Sequence, residues 1–377
     1  MNTLTLLKKK GAVTIALLLT LISCQAFNKN IKKLTLSANE QQQVDALLNN
    51  SPTRCVGTYL IDFPAAFKVN NESLFYYKGT GDFVINTQKQ YLPPFKQMIA
   101  QREQALKDTK TIDPTDSPYL KAVYPVQTNH PDKMQGIIFE RMESPGTDDS
   151  ARILEGYRWQ DEVTLKIEMK AQNGSDKKHD ENRMKYPELY TNDVPKKLQE
   201  LRQLFKRIQP RDDLSIPTTP GFCLLHGFMQ GEDSEWKDTG VTYRYNEDNN
   251  FYFSISYNNY KGFYKLLDQA ESYVTDDRGH TIYKGTRESQ GLLLEEWLTK
   301  GQFFSDESGY ESDDWWYKFT LGINMLDPTY KTPQLQIKMY YKIPEDETQG
   351  YTQEQLMVIW REITNSIRVR TGAFGLE

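Results

Sequence analysis

The sequence predicts an α+β protein of two tandem related domains, each an antiparallel sheet with helices packed on one face, following a lipoprotein signal peptide. Three phrases written twice carry that reading. Arg54-Cys55-Val56-Gly57-Thr58-Tyr59-Leu60-Ile61-Asp62-Phe63-Pro64 is matched by Pro220-Gly221-Phe222-Cys223-Leu224-Leu225-His226-Gly227-Phe228, with Cys55 and Cys223 168 residues apart. At the same spacing, Phe95, Gln101 and Glu103 are matched by Phe263, Gln269 and Glu271 in two stretches that both read as helices. Leu165-Lys166-Ile167-Glu168-Met169 is matched by Leu335-Gln336-Ile337-Lys338-Met339 at a spacing of 170. Three phrases in one order at nearly one spacing mark an internal duplication. The chain divides accordingly into a signal peptide at 1–23, a tether with a short helix at 24–50, a first repeat domain at 51–209, a Pro-rich linker at 210–220 and a second repeat domain at 221–377.

The N-terminus reads first. Lys8, Lys9 and Lys10 precede an apolar run, Ala12–Ile22, that is too short to span a bilayer. Leu21-Ile22-Ser23-Cys24 then resembles a bacterial lipobox, which would make Cys24 the lipidated first residue of the mature chain. The alternative is an ordinary signal peptide with an incidental cysteine. Several acyl chains hold a protein on a membrane far better than one, each buried methylene contributing roughly 0.8 kcal/mol. Gln25 after the lipidated position resembles lipoproteins sorted to the outer membrane, which implies a lipid-anchored body facing the periplasm. Losing the leader takes the net charge from −5 to −8, a balance that repels phosphate backbones and argues against nucleic acid as a partner. In an oxidising compartment Cys55 and Cys223, the only other cysteines, read either as a disulfide or as two buried thiols at equivalent points of the repeats.

Ser37-Ala38-Asn39-Glu40 is a capping box for a short helix, stopped by Asn49-Asn50-Ser51-Pro52. Val56–Phe63 reads as a strand, followed by strands at Leu74–Tyr77 and Phe83–Ile85. Pro93-Pro94 opens a helix over Phe95–Lys107. Residues Thr109 to Asp132, punctuated by four prolines, read as a long exposed connection. Strands follow at Ile137–Arg141, Ile153–Trp159 and Val163–Lys170, then a charged loop and a helix whose stripe is Leu198, Leu201, Phe205 and Ile208. The second repeat runs through strands at Phe222–Phe228, Val241–Tyr245 and Phe251–Tyr257, a helix at Lys261–Tyr273, and strands at Thr281–Gly285, Leu292–Leu298, Trp315–Ile323 and Leu335–Ile343. Thr352-Gln353-Glu354-Gln355 caps the last helix.

Chemistry-bearing motifs are scarce. The sequence has no G-x-S-x-G elbow, H-E-x-x-H, P-loop or G-x-G-x-x-G, so no catalytic residue, metal site or cofactor is assigned. His226 lies in an apolar strand, where a core imidazole is the simpler reading than a general base. Two acidic, aromatic clusters remain. One holds Glu232, Asp233, Glu235 and Trp236; the other holds Asp306, Glu307, Glu311, Asp313, Asp314 and Trp315. Each reads as a solvated loop or, because exposed Trp rimmed by charge is what interaction hot spots use, as a partner-binding surface.

The phrases Cys55-Val56-Gly57-Thr58-Tyr59-Leu60-Ile61-Asp62-Phe63-Pro64 and Pro220-Gly221-Phe222-Cys223, with the lipobox and the two-domain order, resemble the type VI secretion immunity lipoproteins that protect against phospholipase effectors. The resemblance covers the chain from about Pro52 onward and rests on framework residues, not contact residues. It implies a periplasmic inhibitor that grips a secreted lipase effector between two lobes, without catalysis. The alternative is an outer-membrane lipoprotein with a structural or hydrolytic role.

Overall fold

Period-two alternation sets the sheet. In Phe251–Asn258 every odd residue (Phe251, Phe253, Ile255, Tyr257) is buried, while Tyr252, Ser254, Ser256 and Asn258 are not, and Gln334–Lys342 repeats the pattern. The computed structural model describes residues 35–375 apart from 70–71, 80–82, 127, 129–132, 247–248, 263, 274–278, 303–313 and 347–349. Cys24 and the leader lie outside them, as do Asp306, Glu307, Glu311 and Asp313.

The first repeat contains β1 (Thr53–Val56), β2 (Tyr59–Asp62), β3 (Phe67–Val69), β4 (Glu72–Tyr77) and β5 (Phe83–Lys89) after the capped helix α1 (Ala38–Leu48). Helix α2 (Leu92–Asp108) leads to β6 (Leu120–Pro125), β7 (Met134–Met142), β8 (Ala151–Gln160) and β9 (Val163–Gln172), then to the short α3 (Asp180–Lys185), α4 (Val194–Arg207) and β10 (Ile208–Pro210). Among the described residues the second repeat keeps this order without counterparts of β3, α2 and α3: β11 (Gly221–Leu224), β12 (Gly227–Gln230), β13 (Lys237–Tyr245), β14 (Phe251–Asn258), β15 (His280–Ser289), β16 (Leu292–Gln302), β17 (Trp315–Ile323), β18 (Gln334–Lys342), α5 (Gln353–Asn365) and β19 (Arg368–Val369).

Among the described residues one thirteen-stranded antiparallel sheet runs through both repeats, in the order β15-β16-β17-β18-β14-β13-β4-β5-β9-β8-β7-β6, with β3 also against β13. The order is a palindrome about the β13–β4 seam, where Lys237, Asp238 and Thr239 face Tyr77, Tyr76 and Phe75. The two hairpins exchange strands across the same seam. β1–β2 takes its third strand, β19, from the end of the second repeat, and β11–β12 takes β10 from the end of the first. A buried arginine follows each exchanged strand. Arg211 donates to the carbonyls of Cys55, Leu224, Gly227 and Ser215, and Arg370 to those of Pro217, Thr219 and Gly221. These bonds bring side-chain donors to backbone acceptors around the crossovers, and they fasten down much of the 210–220 segment.

Cys55 and Cys223 are joined by a disulfide between the two hairpins, Cα–Cα 5.8 Å. Beside it Gly57 and Cys223 exchange backbone hydrogen bonds of 2.9 and 3.0 Å. Gly57 has φ +62°, and a Cβ there would lie 2.5 Å from the Tyr257 ring, so the turn needs glycine twice over. The core lies between the hairpins and the inner face of the sheet. Phe63 packs against Phe67, Tyr243 and Phe253 at 4.9–5.2 Å between centroids, and Phe222 of the second repeat stacks 5.0 Å from Phe75 of the first. Helix α4 closes over β8, where a Cβ on Gly156 would meet Leu201 at 2.8 Å. Helix α5 sits on the second half, with α1 against it through Gln355 Nε2 donating to the Glu40 carbonyl at 3.1 Å.

Three expectations need correction. Val56–Phe63 and Phe222–Phe228 are two-strand hairpins, not single strands, because Gly57-Thr58 and Leu225-His226 turn the chain. Residues 109–132 hold the edge strand β6, where Pro125 is tolerated because an edge leaves a donor side unpaired. In place of the helix expected at Lys261–Tyr273, the described residues, which leave out Phe263, form two short 3₁₀ turns, Leu266–Asp268 and Glu271–Tyr273. Gly262 weakens any helix there by about 1 kcal/mol, and the backbone at Gly262 presses against Leu326, leaving no room for a Cβ. The matching α2 has Pro at its start and long, unbranched side chains through its middle.

His226 is in the hairpin turn, at φ +55°, and not in a strand. Its buried ring has no hydrogen-bonding partner among the described residues. Burial, and then the nearby Lys89 ammonium, push the imidazole down to about 4.

Two outcomes follow from this architecture. Replacing Cys55 and Cys223 together by alanine releases a closed loop of more than a hundred residues in the unfolded chain, and should lower unfolding free energy by about 2–5 kcal/mol in a denaturant titration. With the folded His226 pKa below the ordinary value, the unfolded state binds the proton first. Stability should therefore hold above pH ~6.5, fall by on the order of 2 kcal/mol toward pH 4, and level off below. His226→Asn keeps a residue that tolerates the left-handed turn and should flatten melting temperature over that window.

Candidate partner-binding face

The sheet has a second face, turned away from the hairpins, and among the described residues its two flanks are the parts that are covered. On the first repeat, α2 lays Phe95 and Leu106 over Phe139, Tyr157 and Trp159. Its Arg102 forms a two-pronged pair with Glu155, 2.7 Å at each contact, and Arg141 Nε donates to the same carboxylate at 2.7 Å. Burial alone would raise the Glu155 carboxyl, but the hydrogen bonds from Arg102, Tyr157 and Arg141 outweigh it and hold it at about 2. On the second repeat, the Leu266–Asp268 turn lays Leu266 over Trp297, whose Nε1 donates to Thr281 Oγ1 at 2.9 Å. Both rims grow from equivalent connections, β5 to β6 and β14 to β15.

Between the rims lies the strip from β9 across to β17. Seven strands give a width of roughly 29 Å at about 4.8 Å per spacing. The first repeat contributes Leu74, 49 % exposed, with Tyr76, Val84 and Asn86; the second contributes Tyr252, Ser254, Lys318, Lys338 and Tyr340. Tyr252 and Tyr340 stack across β14 and β18 with centroids 4.7 Å apart. Burial, then the neighbouring Lys338, pushes the Lys318 amine down to about 8, and burial lowers Lys338 as well. The floor therefore pairs flat aromatic surface with two closely set cations on an otherwise acidic protein.

The described residues of the two acidic clusters flagged in the sequence, Glu232 to Trp236 in one and Asp314 and Trp315 in the other, sit at opposite ends of this strip. Trp236 is 52 % exposed and stacks on Tyr260 at 4.6 Å, beside the start of β13. Trp315 and Asp314 lie at the start of β17, next to Lys342 at the end of β18, and Asp314 is 2.5 Å from Lys342 Nζ. The β13 start faces Asn258, which faces Gln334, so Trp236 and Trp315 are separated by the length of β18, about 27 Å. Trp236 and Trp315 therefore do not share one patch. Asp233 is drawn inward: it pairs with Arg207 and Lys237 and accepts from Tyr77 at 3.1 Å. Glu232 accepts from the Gly375 amide at 2.6 Å, and Glu235 lies 3.8 Å from Lys78. Trp236 keeps the strongest claim to outside contact. The floor residues were missed, although the alternation that buries Phe253 and Met339 also turns Tyr252 and Tyr340 outward.

Among the described residues the one grouping with metal-ligand types is Asp148, Asp149 and His179. Lys178 and Lys121 already lie 2.9 and 3.2 Å from Asp149, and His179 Nε2 is at 2.7 Å, so this carboxylate serves an ion-pair network.

Among the described residues, a doubled sheet carries an aromatic strip between two rims, with no catalytic constellation set into it. The description "Tle cognate immunity protein 4 N-terminal domain" matches residues 52–211 and its C-terminal counterpart matches residues 215–372, so the chain belongs to this family of type VI secretion immunity proteins. No curated protein matches the chain. Among solved structures it is similar to a chain of "The crystal structure of Tle4-Tli4 complex", with TM-score 0.62 and 16 % identity over 86 % of this chain and 99 % of that one. It is also similar to the apo immunity protein TplEi of T6SS from Pseudomonas aeruginosa, with TM-score 0.61 and 17 % identity over 85 % and 98 %. The same protein complexed with "L" peptide gives 0.58 and 16 % over 86 % and 99 %. At these identities the likeness speaks to the fold.

Proposed function

We propose that this protein neutralises a lipase effector of the type VI secretion system by binding it, without catalysis, while anchored through Cys24 to a membrane facing the periplasm. The outer membrane is the expected address, from Gln25 after the lipidated cysteine. The observation that carries the binding reading is the open strip itself. At roughly 29 by 27 Å it offers about 800 Å², the share that one partner contributes to a standard stable interface. Its stacked tyrosines are rigid anchors of the kind that dominate binding energy. The rims come from different repeats, so a partner seated on the floor is held from both sides. Support for a lipase as that partner comes from the family and from the solved complex of a similar chain.

Cells producing the cognate lipase in their periplasm should die without this protein and survive with it; equal killing overturns the proposal. Tyr252→Ala combined with Tyr340→Ala should weaken the complex by about 10- to 100-fold while melting within a few degrees of the parent. Unchanged affinity measured by calorimetry would move the contact face elsewhere.

A further inference from the structure

A second concave feature lies on the opposite side of the sheet, away from the open strip. It is a cavity of about 680 Å³ at the edge of the first repeat, between β6–β8 and the last turns of α4. That size is within the range of small-molecule sites. Three cations line it: Arg158 from β8, and Arg202 and Lys206 from α4. Val126, Met134 and Phe205 supply an apolar wall, and among the described residues that line it there is no carboxylate.

Arg158 makes this more than a basic surface. It is 3 % exposed, and its guanidinium donates to the Ile208 carbonyl at 2.5 Å. Its buried Nε has no hydrogen-bonding partner among the described residues. Arg54, by contrast, is paired with Asp213, and Arg152 with Glu140 at 3.2 Å. Taking a cation out of water without a counter-ion costs several kcal/mol. Burial shows in the guanidinium itself, whose pKa is lowered to about 10, with only a compensating pull from Asp161. Arg202 and Lys206, four residues apart on α4, face the same space and add charge of the same sign. An oxyanion would relieve all three groups, and guanidinium recognises carboxylate or phosphate with paired donors. The apolar wall asks for a ligand that is not merely an ion.

We propose that the cavity lined by Arg158, Arg202, Lys206 and Phe205 binds an oxyanion head carried on an apolar chain, as in a fatty carboxylate or a monoacyl phosphate ester. The binding site stands apart from the partner-binding strip, so it does not depend on the effector reading. Neutralisation could fail with this site intact, and the reverse.

The test is calorimetric titration of the purified full chain, in detergent-free buffer at low salt, with octanoate below its micelle concentration. Lysophosphatidic acid serves as the phosphate-headed arm, inorganic phosphate as the head alone and octanol as the tail alone. Saturable one-to-one binding of octanoate or of the phosphate ester, at least tenfold tighter than phosphate or octanol, is the expected result, and the tighter of the two arms identifies the head. Arg202→Ala with Lys206→Ala, both on the exposed side of α4, should weaken that binding at least tenfold with unchanged melting temperature. Arg158→Met is the more direct variant but also removes the bond to Ile208, so the α4 pair decides the matter if it fails to fold. No binding by either amphiphile, binding of phosphate alone, or binding untouched by the α4 pair would overturn the proposal.

Discussion

Neither half of this chain can finish its own hairpin sheet. β10 leaves the first repeat to pair with Phe228 and Met229 of the second, and β19 leaves the second to pair with Tyr59 and Leu60 of the first. Each exchanged strand satisfies the backbone of the other half, so separating the repeats would strip hydrogen bonds from both at once. The seam between β4 and β13 adds a second constraint by making the floor continuous. Arg211 and Arg370 then tie the carbonyls around each crossover, and the Cys55–Cys223 bridge joins the hairpins at their meeting point. Everything outward of this centre, including the open strip, inherits its rigidity.

That rigidity bears on recognition. A docking face assembled from two loosely hinged lobes would lose conformational freedom on binding, and that loss subtracts from affinity. Here the floor between the rims is a single hydrogen-bonded sheet, so Leu74 and Tyr76 keep their places relative to Tyr252 and Tyr340 before any partner arrives. The rims are fixed by different means. α2 is held by Arg102 on a buried Glu155 that Arg141 of β7 also binds, whereas the opposite rim rests on Leu266 and Leu267 over Trp297. Both rims rest on packing, and the α2 side adds a charge clamp.

Much of the fold was legible because duplication is a property of the letters. Strand periodicity, the two capping boxes and the equivalence of Cys55 with Cys223 all lie in local sequence. What local sequence could not show was destination. A strand such as β10 carries no mark saying which hairpin it joins, and residues 210–220 read as a plain linker because the buried Arg211 looks like any surface arginine. The Lys261–Tyr273 segment misled for a related reason: its apolar spacing echoes α2, but Gly262 and its packing against Leu326 prevent a helix. The candidate site was legible only at its ends. Trp236 and Trp315 announce themselves by composition, while the tyrosines between them looked like ordinary strand residues until neighbouring strands set them side by side.

The bond between two cysteines that occupy the same place in their repeats has a further meaning. In a palindromic strand order, only positions on the axis relating the halves can reach their own equivalents. A closed two-fold homodimer has that property, each subunit lending its last strand to its twin and sharing a cysteine bridge on the dyad. The present polypeptide has the layout of such a dimer after gene fusion. Within one polypeptide the two halves need not match, and here one rim is a helix while the other is a turn.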